Sequence, residues 1–288
     1  MIESDLTDER ATAQLFTDHQ IDAVIHFAGL KSVGESMGDP HLYYRNNVGA
    51  TMSLLSAMDS HGVRDLVFSS SCTVYGDPLR VPIVETDLVS PVSPYGATKA
   101  AIEALLMGLC AADDRWRVLS LRYFNPIGAD PSGLIGEDPS VAPTTLMPHI
   151  MRALLDDEPL RVFGDDYPTS DGTCVRDYIH VCDLIDGHLA ALAVLSTVDG
   201  FEALNLGTGQ GVSVLELVRA CSEAAGSDVP YRIVDRRPGD ASVVFADPSH
   251  AQERLGWKST RTLSEACADH LRWQSAHPSG HEQRTGET

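Results

Sequence analysis

Strand-length apolar runs alternate along this chain with stretches of helical periodicity, and that alternation limits the fold more than any other feature. Ala23-Val24-Ile25-His26-Phe27 reads as a buried strand, and a helix follows over roughly Pro40 to Ser60. Leu66-Val67-Phe68 is a second strand, ending in Ser69-Ser70-Ser71, with a helix from Pro94 to Cys110 and a third strand over Val118 to Tyr123. A helix over Val181 to Leu195, a strand over Ala203 to Leu206 and helices over Val212 to Ala225 and Leu263 to Gln274 follow. Runs of this kind predict βαβ units and a parallel sheet covered by helices. Between Asn125 and Gly172 the composition shifts to Gly, Pro and Asp, which predicts an excursion out of the sheet. The polar end, Ser279 to Thr288, is expected to be disordered.

Charge narrows the partners. The chain carries 41 acidic against 21 basic residues, a net charge of −20. Phosphate backbones and anionic lipid surfaces select basic faces, so no nucleic-acid or membrane partner is expected. A phosphorylated small molecule remains open, because a few local arginines suffice to hold one. The six cysteines, Cys72, Cys110, Cys174, Cys182, Cys221 and Cys267, form no C-x-x-C pair and read as reduced core thiols, with no metal site expected. The acidic start lacks an apolar run, and no stretch approaches ~18 consecutive apolar residues, so a cytoplasmic location is expected.

Two features carry chemistry. Tyr95 and Lys99 stand at i and i+4 on one helix face. An ammonium beside a phenol favours the phenolate, lowering its pKa from about 10 and suiting Tyr95 to act as a general base. The chain has eight tyrosines but three lysines (Lys31, Lys99, Lys258), so chance alone gives one such pair in about one chain in twelve; a surface i,i+4 pair is the plain alternative. The second feature is the serine run at the end of a strand, the place where parallel sheets bind ligands. Serines there are also common turn formers. A third feature, Gly207-Thr208-Gly209-Gln210-Gly211, follows a strand and precedes a helix, yet lacks the last glycine of a dinucleotide fingerprint at the proper spacing.

Serine, then tyrosine some two dozen residues on, then lysine four later is the triad of the short-chain dehydrogenase/reductases. His26-Phe27-Ala28-Gly29-Leu30-Lys31, Tyr43-Tyr44-Arg45-Asn46-Asn47-Val48-Gly49, Phe68-Ser69-Ser70-Ser71-Cys72-Thr73-Val74-Tyr75-Gly76 and Tyr95-Gly96-Ala97-Thr98-Lys99 resemble segments of the UDP-glucose 4-epimerases, an extended branch of that family. So do the stretches Leu121 to Pro126, Gly133 to Pro139, Val175 to Val181, Asn205 to Gly209, Arg236 to Asp240 and Leu255 to Trp257, in the family's order. The resemblance implies an α/β fold: a Rossmann-like doubly wound parallel sheet, and a smaller mixed C-terminal domain for the UDP-sugar. It assigns 1–124 plus 173–205 to the NAD domain and 125–172 plus 206–278 to the substrate domain. It implies that Tyr95 takes the proton of the sugar 4-hydroxyl while hydride passes to NAD, that Lys99 lowers the tyrosine's pKa and holds the nicotinamide ribose, and that Ser71 bonds the sugar oxygen. Asp5, Leu6, Phe27, Ala28, Gly29, Leu30, Lys31, Asn46 and Phe124 would join these three at the NAD site. Lys31, Thr73, Tyr123, Asn125, Thr145, Leu146, Val162, Phe163, Arg176, Arg237 and Val244 would meet the UDP-sugar, the two arginines on its diphosphate. The helices at 40–60 and 94–110 would form a homodimer interface.

Departures from the family pattern set further expectations. The family opens on a strand, a G-x-x-G-x-x-G loop and a helix, absent here, and Ser4 to Asp8 resembles its segment after the third strand. The glycine loop and helix N-terminus are what hold a pyrophosphate, so this chain is expected to bind NAD poorly, and an uncovered edge at Ala23 to Phe27 to invite aggregation. Thr144-Thr145 stand for two asparagines, Cys72 and Cys174 replace small residues, and Val244 replaces a bulky tyrosine of some members, which leaves room for an N-acetyl group. A sugar-nucleotide dehydratase and an inactive fragment are the alternatives; Ser71-Cys72-Thr73-Val74 lacks the carboxylates a dehydratase places there.

Overall fold

The computed structural model describes residues 1–138, 145–156, 158–237 and 239–278, so the expected disordered tail 279–288 and Thr144 lie outside the described residues. In chain order the elements are α1 Glu9–Asp18, β1 Val24–His26, α2 Val33–Gly38, α3 Pro40–Tyr43, α4 Gly49–Ser60, β2 Asp65–Ser71, α5 Pro94–Ala112 and β3 Arg117–Tyr123. There follow β4 Asn125–Ile127, α6 Leu146–Leu155, β5 Leu160–Phe163, β6 Val175–Arg176, β7 Tyr178–His180, α7 Val181–Val194 and β8 Gly200–Leu206. The remainder are β9 Val212–Ser213, α8 Val214–Ala225, β10 Tyr231–Val234, β11 Val243–Val244, α9 Ser249–Leu255 and α10 Leu263–Ala276. Among the described residues no helix is long and apolar enough to cross a membrane.

The chain divides into two compact units. The first comprises Met1–Phe124, Asp186–Leu206 and Ala246–Lys258. Its centre is a parallel sheet in the order β1-β2-β3-β8, of Rossmann type, built from strands whose near-continuous apolar runs suit burial on both faces. The register lines up Ser71, Tyr123 and Leu206 across the carboxyl ends of β2, β3 and β8. Leu54, Leu55 and Met58 of α4 and Ile102 and Leu106 of α5 pack with Leu66, Phe68, Trp116 and Val118 into one core. The expected helix over 40–60 is present as α3, a widened π-turn at Tyr44–Val48, and α4. That turn buries Asn47.

The second unit comprises Asn125–Ile185, Gly207–Phe245 and Ser259–Thr288. Short strands pair locally: β4 with β7, β5 with β10, and β6 between β9 and β11. The helices α6, α8 and α10 supply the core around Met147, Ile150, Leu217, Cys221 and Cys267. Both α8 and α10 open on reciprocal capping boxes, Ser213 with Glu216 and Thr262 with Glu265, which satisfy otherwise orphaned N–H groups. Thr262→Ala should lower the stability of this unit by about 1 kcal/mol, read as a shift of the urea midpoint at unchanged slope.

Three boundaries differ from the sequence reading. Residues 173–185 belong to the second unit, because β6 and β7 bond to strands of that unit. Residues 246–258 belong to the first, where Ala246 bridges Ile83 and Arg254 holds Glu202 at 2.9 Å. The helix expected from Val212 starts two residues later, since Val212 and Ser213 pair with Arg176 and Val175.

Candidate active site

The N-terminus of α5 is the centre of the site, and its local sequence explains its position. Ser93 caps it, accepting the Gly96 amide at 3.1 Å, and Pro94 takes the first helical position. A Cβ on Gly96 would lie 2.6 Å from the Thr73 carbonyl oxygen; the missing side chain is what lets α5 come this close to the end of β2. Tyr95 and Lys99 then face the serine run. The Lys99 ammonium, 5% exposed, donates to the Ser69 carbonyl at 2.7 Å and lies 4.9 Å from the Phe68 ring centre and 6.0 Å from that of Tyr95. The Tyr95 ring meets Tyr43 edge to face at 6.5 Å, and its amide donates to Ser36 Oγ at 3.2 Å. Ser71 Oγ accepts from the Thr73 amide at 3.2 Å and the Thr73 hydroxyl at 2.9 Å.

The electrostatics of this cluster run against one expectation. Burial pushes the Tyr95 phenol up to about 12, while a hydrogen bond from Ser71 acts in the opposite direction. Burial also pulls the Lys99 ammonium down to about 8, opposed by the charge of Glu103. Among the described residues the expected lowering of the tyrosine by its lysine is absent: Nζ is aimed at a backbone carbonyl, and desolvation outweighs a charge held 6.0 Å from the ring centre.

Glu103, one turn beyond Lys99, was not singled out from the sequence. Its buried carboxylate accepts from Ser70 Oγ at 2.7 Å, Ser120 Oγ at 2.8 Å and Arg122 at 2.7 and 3.0 Å. Three residues spaced by four on α5 thus engage three successive serines of β2: Tyr95 meets the Ser71 hydroxyl, Lys99 the Ser69 carbonyl, and Glu103 the Ser70 hydroxyl. The helix and the strand end are thereby fixed in register.

The segment Phe27 to Lys31 leaves the carboxyl end of β1, with Phe27 50% exposed and Ala28, Gly29 and Lys31 also exposed. Its support comes from Asn47, the neighbour of Asn46. The Asn47 carboxamide accepts the Leu30 amide at 2.7 Å, donates to the Leu30 carbonyl at 3.0 Å, and donates to Thr98 Oγ1 at 3.2 Å. The adjacent pair Asn46-Asn47 was visible in the sequence, but not which of the two turns inward. Asp5 and Leu6 form the turn ahead of α1, where Asp5 accepts the Thr7 amide at 2.8 Å. Phe124 is buried and donates its amide to Leu206. Tyr123 hydrogen-bonds the buried His188.

In the second unit Asn125 heads β4, its amide donating to Asp177, and its buried side-chain oxygen has no hydrogen-bond partner among the described residues. Thr145 and Leu146 begin α6. Val162 and Phe163 lie on β5, and the Arg237 guanidinium sits 3.8 Å from the Phe163 ring centre. Arg176 and Val244 are register partners on β6 and β11. The loop Gly207 to Gly211 carries no open anion cradle: the Asp177 carboxylate accepts the Thr208 amide at 2.8 Å, the Thr208 hydroxyl at 2.7 Å and the Gly209 amide at 3.0 Å. The Thr208 and Gly209 donors of this loop are thus taken by an internal anion.

The residues at the strand ends of the first unit fit a nicotinamide nucleotide. Among the described residues the Lys99 ammonium bonds one carbonyl, leaving two N–H donors for a ribose diol, and the Phe27–Gly29 backbone is open to a ligand. In the second unit the orphaned Asn125 oxygen marks a place for a ligand donor.

Comparison with known proteins agrees with these features. Residues 1–207 match the model of the NAD dependent epimerase/dehydratase family. The UDP-glucose 4-epimerase of Bacillus subtilis is 52% identical over 280 residues, covering 97% of this chain and 83% of the relative. That of Dictyostelium discoideum is 52% identical over 279 residues, 96% and 81%. Among solved structures, UDP-glucose 4-epimerase from Bifidobacterium longum in complex with NAD+ and UDP superposes with a TM-score of 0.93 at 45% identity, covering 97% of this chain and 84% of that one. The Stenotrophomonas maltophila UDP-glucose-4-epimerase with bound NAD and formylated UDP-arabinopyranose gives 0.93 at 48% identity, 96% and 83%. The chain belongs to the NAD dependent epimerase/dehydratase family, and the relatives it matches at about half identity are UDP-glucose 4-epimerases.

Proposed function

We propose that this protein interconverts UDP-glucose and UDP-galactose by transient oxidation at the sugar 4-position. The observation that carries the reading is the grouping of Ser71, Tyr95 and Lys99 at the carboxyl end of a parallel sheet. NAD, when bound, supplies the acceptor and donor of a hydride at the sugar carbon, and a positive ring charge that favours the phenolate. Tyr95 takes the proton of the 4-hydroxyl and returns it to the same oxygen after the 4-keto sugar has turned over. Ser71 donates to the tyrosine oxygen or the sugar oxygen as the proton moves. Lys99 gives its two remaining donors to the ribose of the cofactor. Phe27 to Lys31, Phe124 and Asn46 line the cofactor, with Asp5 and Leu6 beside it. Asn125, Thr145, Leu146, Val162, Phe163, Arg176, Arg237 and Val244 hold the UDP-sugar, the two arginines on the diphosphate, with Lys31, Thr73 and Tyr123 toward the sugar.

This chemistry suits a cytoplasmic homodimer. The helical stretches 40–60 and 94–110, which leave Met52 and Met107 about half exposed, are our choice for the dimer surface. The functional reading is tested on protein incubated with NAD and supplied with either sugar nucleotide. Both should approach the same equilibrium mixture, read by chromatography. Bound NAD with conversion of neither sugar would overturn the proposal, and a 4-keto-6-deoxy product would replace it with the dehydratase. A UDP-N-acetylglucosamine arm tests the added room at Val244.

A further inference from the structure

We infer that His188 is a positioning residue for this reaction, clamping Tyr123 and Phe27 so that the cofactor side of the site stays fixed while the sugar turns over. The inference rests on the epimerase reading above. His188 lies on α7, 1% exposed. Its Nε2 is hydrogen-bonded to the Tyr123 hydroxyl, with the two ring centres 5.1 Å apart at 64°. On its other side the imidazole packs against Phe27 at 4.7 Å and 37°. One buried ring therefore ties the carboxyl end of β3 to the segment leaving β1. Tyr123 is the register neighbour of Ser71, so the clamp reaches the strand position beside the proposed catalytic serine.

The Tyr123 hydroxyl also meets β2. Burial holds its phenol well above the ordinary range, and a hydrogen bond from Ser69 reaches the same oxygen. Ser69 also presents its carbonyl to Lys99. Ser69 thus links His188, through Tyr123, to the ammonium of the catalytic pair.

A 4-epimerase removes hydride from one face of a sugar carbon in its first half-reaction and returns it to the other face in its second. The sugar must reorient and the hydride carrier must not. A residue that holds the carrier's side of the site acts on both half-reactions, so its loss appears in kcat, while KM for the UDP-sugar follows from contacts made elsewhere. A histidine that merely fills the core would change stability and leave that ratio alone.

The test compares His188→Phe, which keeps a ring and loses the hydrogen bond, with His188→Gln, which keeps an acceptor, and Tyr123→Phe. We expect His188→Phe to lower kcat about tenfold with KM within about twofold of wild type, and His188→Gln to recover to within about threefold. Adding His188→Phe to Tyr123→Phe should cost less than about twofold more, because both remove one bond. Full kcat in His188→Phe, losses that multiply, or a glutamine no better than phenylalanine would overturn the inference. Should His188→Phe fail to fold, Tyr123→Phe decides by NAD titration: affinity about fivefold weaker than wild type supports the clamp and equal affinity overturns it. Wild-type turnover is the control for the epimerase reading itself. If wild type converts neither sugar, that reading fails and NAD titration of His188→Ala, followed by tryptophan fluorescence, decides alone. Affinity about fivefold weaker than wild type supports the clamp, and equal affinity overturns it.

Discussion

Tyr95→Phe is expected to lower kcat for UDP-glucose about a thousandfold while leaving NAD binding and thermal stability close to wild type. The substitution removes one oxygen. The ring keeps its edge-to-face contact with Tyr43 at 6.5 Å, and the backbone keeps the Ser36 bond at its amide, so the helix N-terminus has no reason to move. What is lost is the atom that receives the 4-hydroxyl proton. Ser71 cannot replace it, because a serine hydroxyl is a far poorer proton acceptor near neutral pH and is already held by Thr73. Hydride abstraction without proton removal would leave a protonated carbonyl, and the barrier rises accordingly. A variant within about fivefold of wild type would mean that another base does the work and would remove the ground for the proposed mechanism. Thermal melting and NAD titration of the same preparation separate this loss from misfolding.

The parallel sheet was legible because its strands are apolar on both faces and its helices keep a strict period: β2, β3, α5 and α7 fall within a few residues of their expected bounds. The second unit was not, and its strands show why. Two-residue strands such as Val175–Arg176 and Val243–Val244 are too short for alternation to register, and their partners lie far away in sequence. The spacing of Tyr95 and Lys99 only suggested the proposed pair, which the family resemblance then singled out; its neighbours left less trace. Asn47, Asp177 and His188 work by facing inward, and which of two adjacent polar residues does so is settled by packing. Glu103 and Arg122 did leave a signal. Glu103 is the lone acidic residue of α5, and Arg122 interrupts the apolar run of β3. Single opposite charges inside neighbouring buried elements are the mark of a buried pair, here 2.7 Å apart. Where sequence chemistry alone misled was the tyrosine's acidity, since an i,i+4 ammonium promises a lower pKa only if desolvation does not exceed it.

Lys99→Met should abolish most turnover and yet make the protein more stable at pH 7. Burial lowers the ammonium from its ordinary 10.5 to about 8. The folded state therefore binds fewer protons than the unfolded chain between about pH 8 and 10.5, and stability rises with pH across that window. Below it the full cost of burying the charge is present. By linkage that cost is at most about 3 kcal/mol, and losing the bond to the Ser69 carbonyl gives back about 1, so a gain of roughly 1–2 kcal/mol is expected. Methionine matches the length of the stem and can pack on Phe68, which the ammonium now overlies at 4.9 Å. Two measurements check this. Urea midpoints at pH 7 should move upward in the variant, and the wild-type rise in stability above pH 8 should flatten. A less stable variant with the same pH dependence would show that Lys99 is no burden on the fold. If the gain appears together with a hundredfold or greater loss of kcat, the ammonium is kept for its two remaining donors and its charge, against the preference of the core around it.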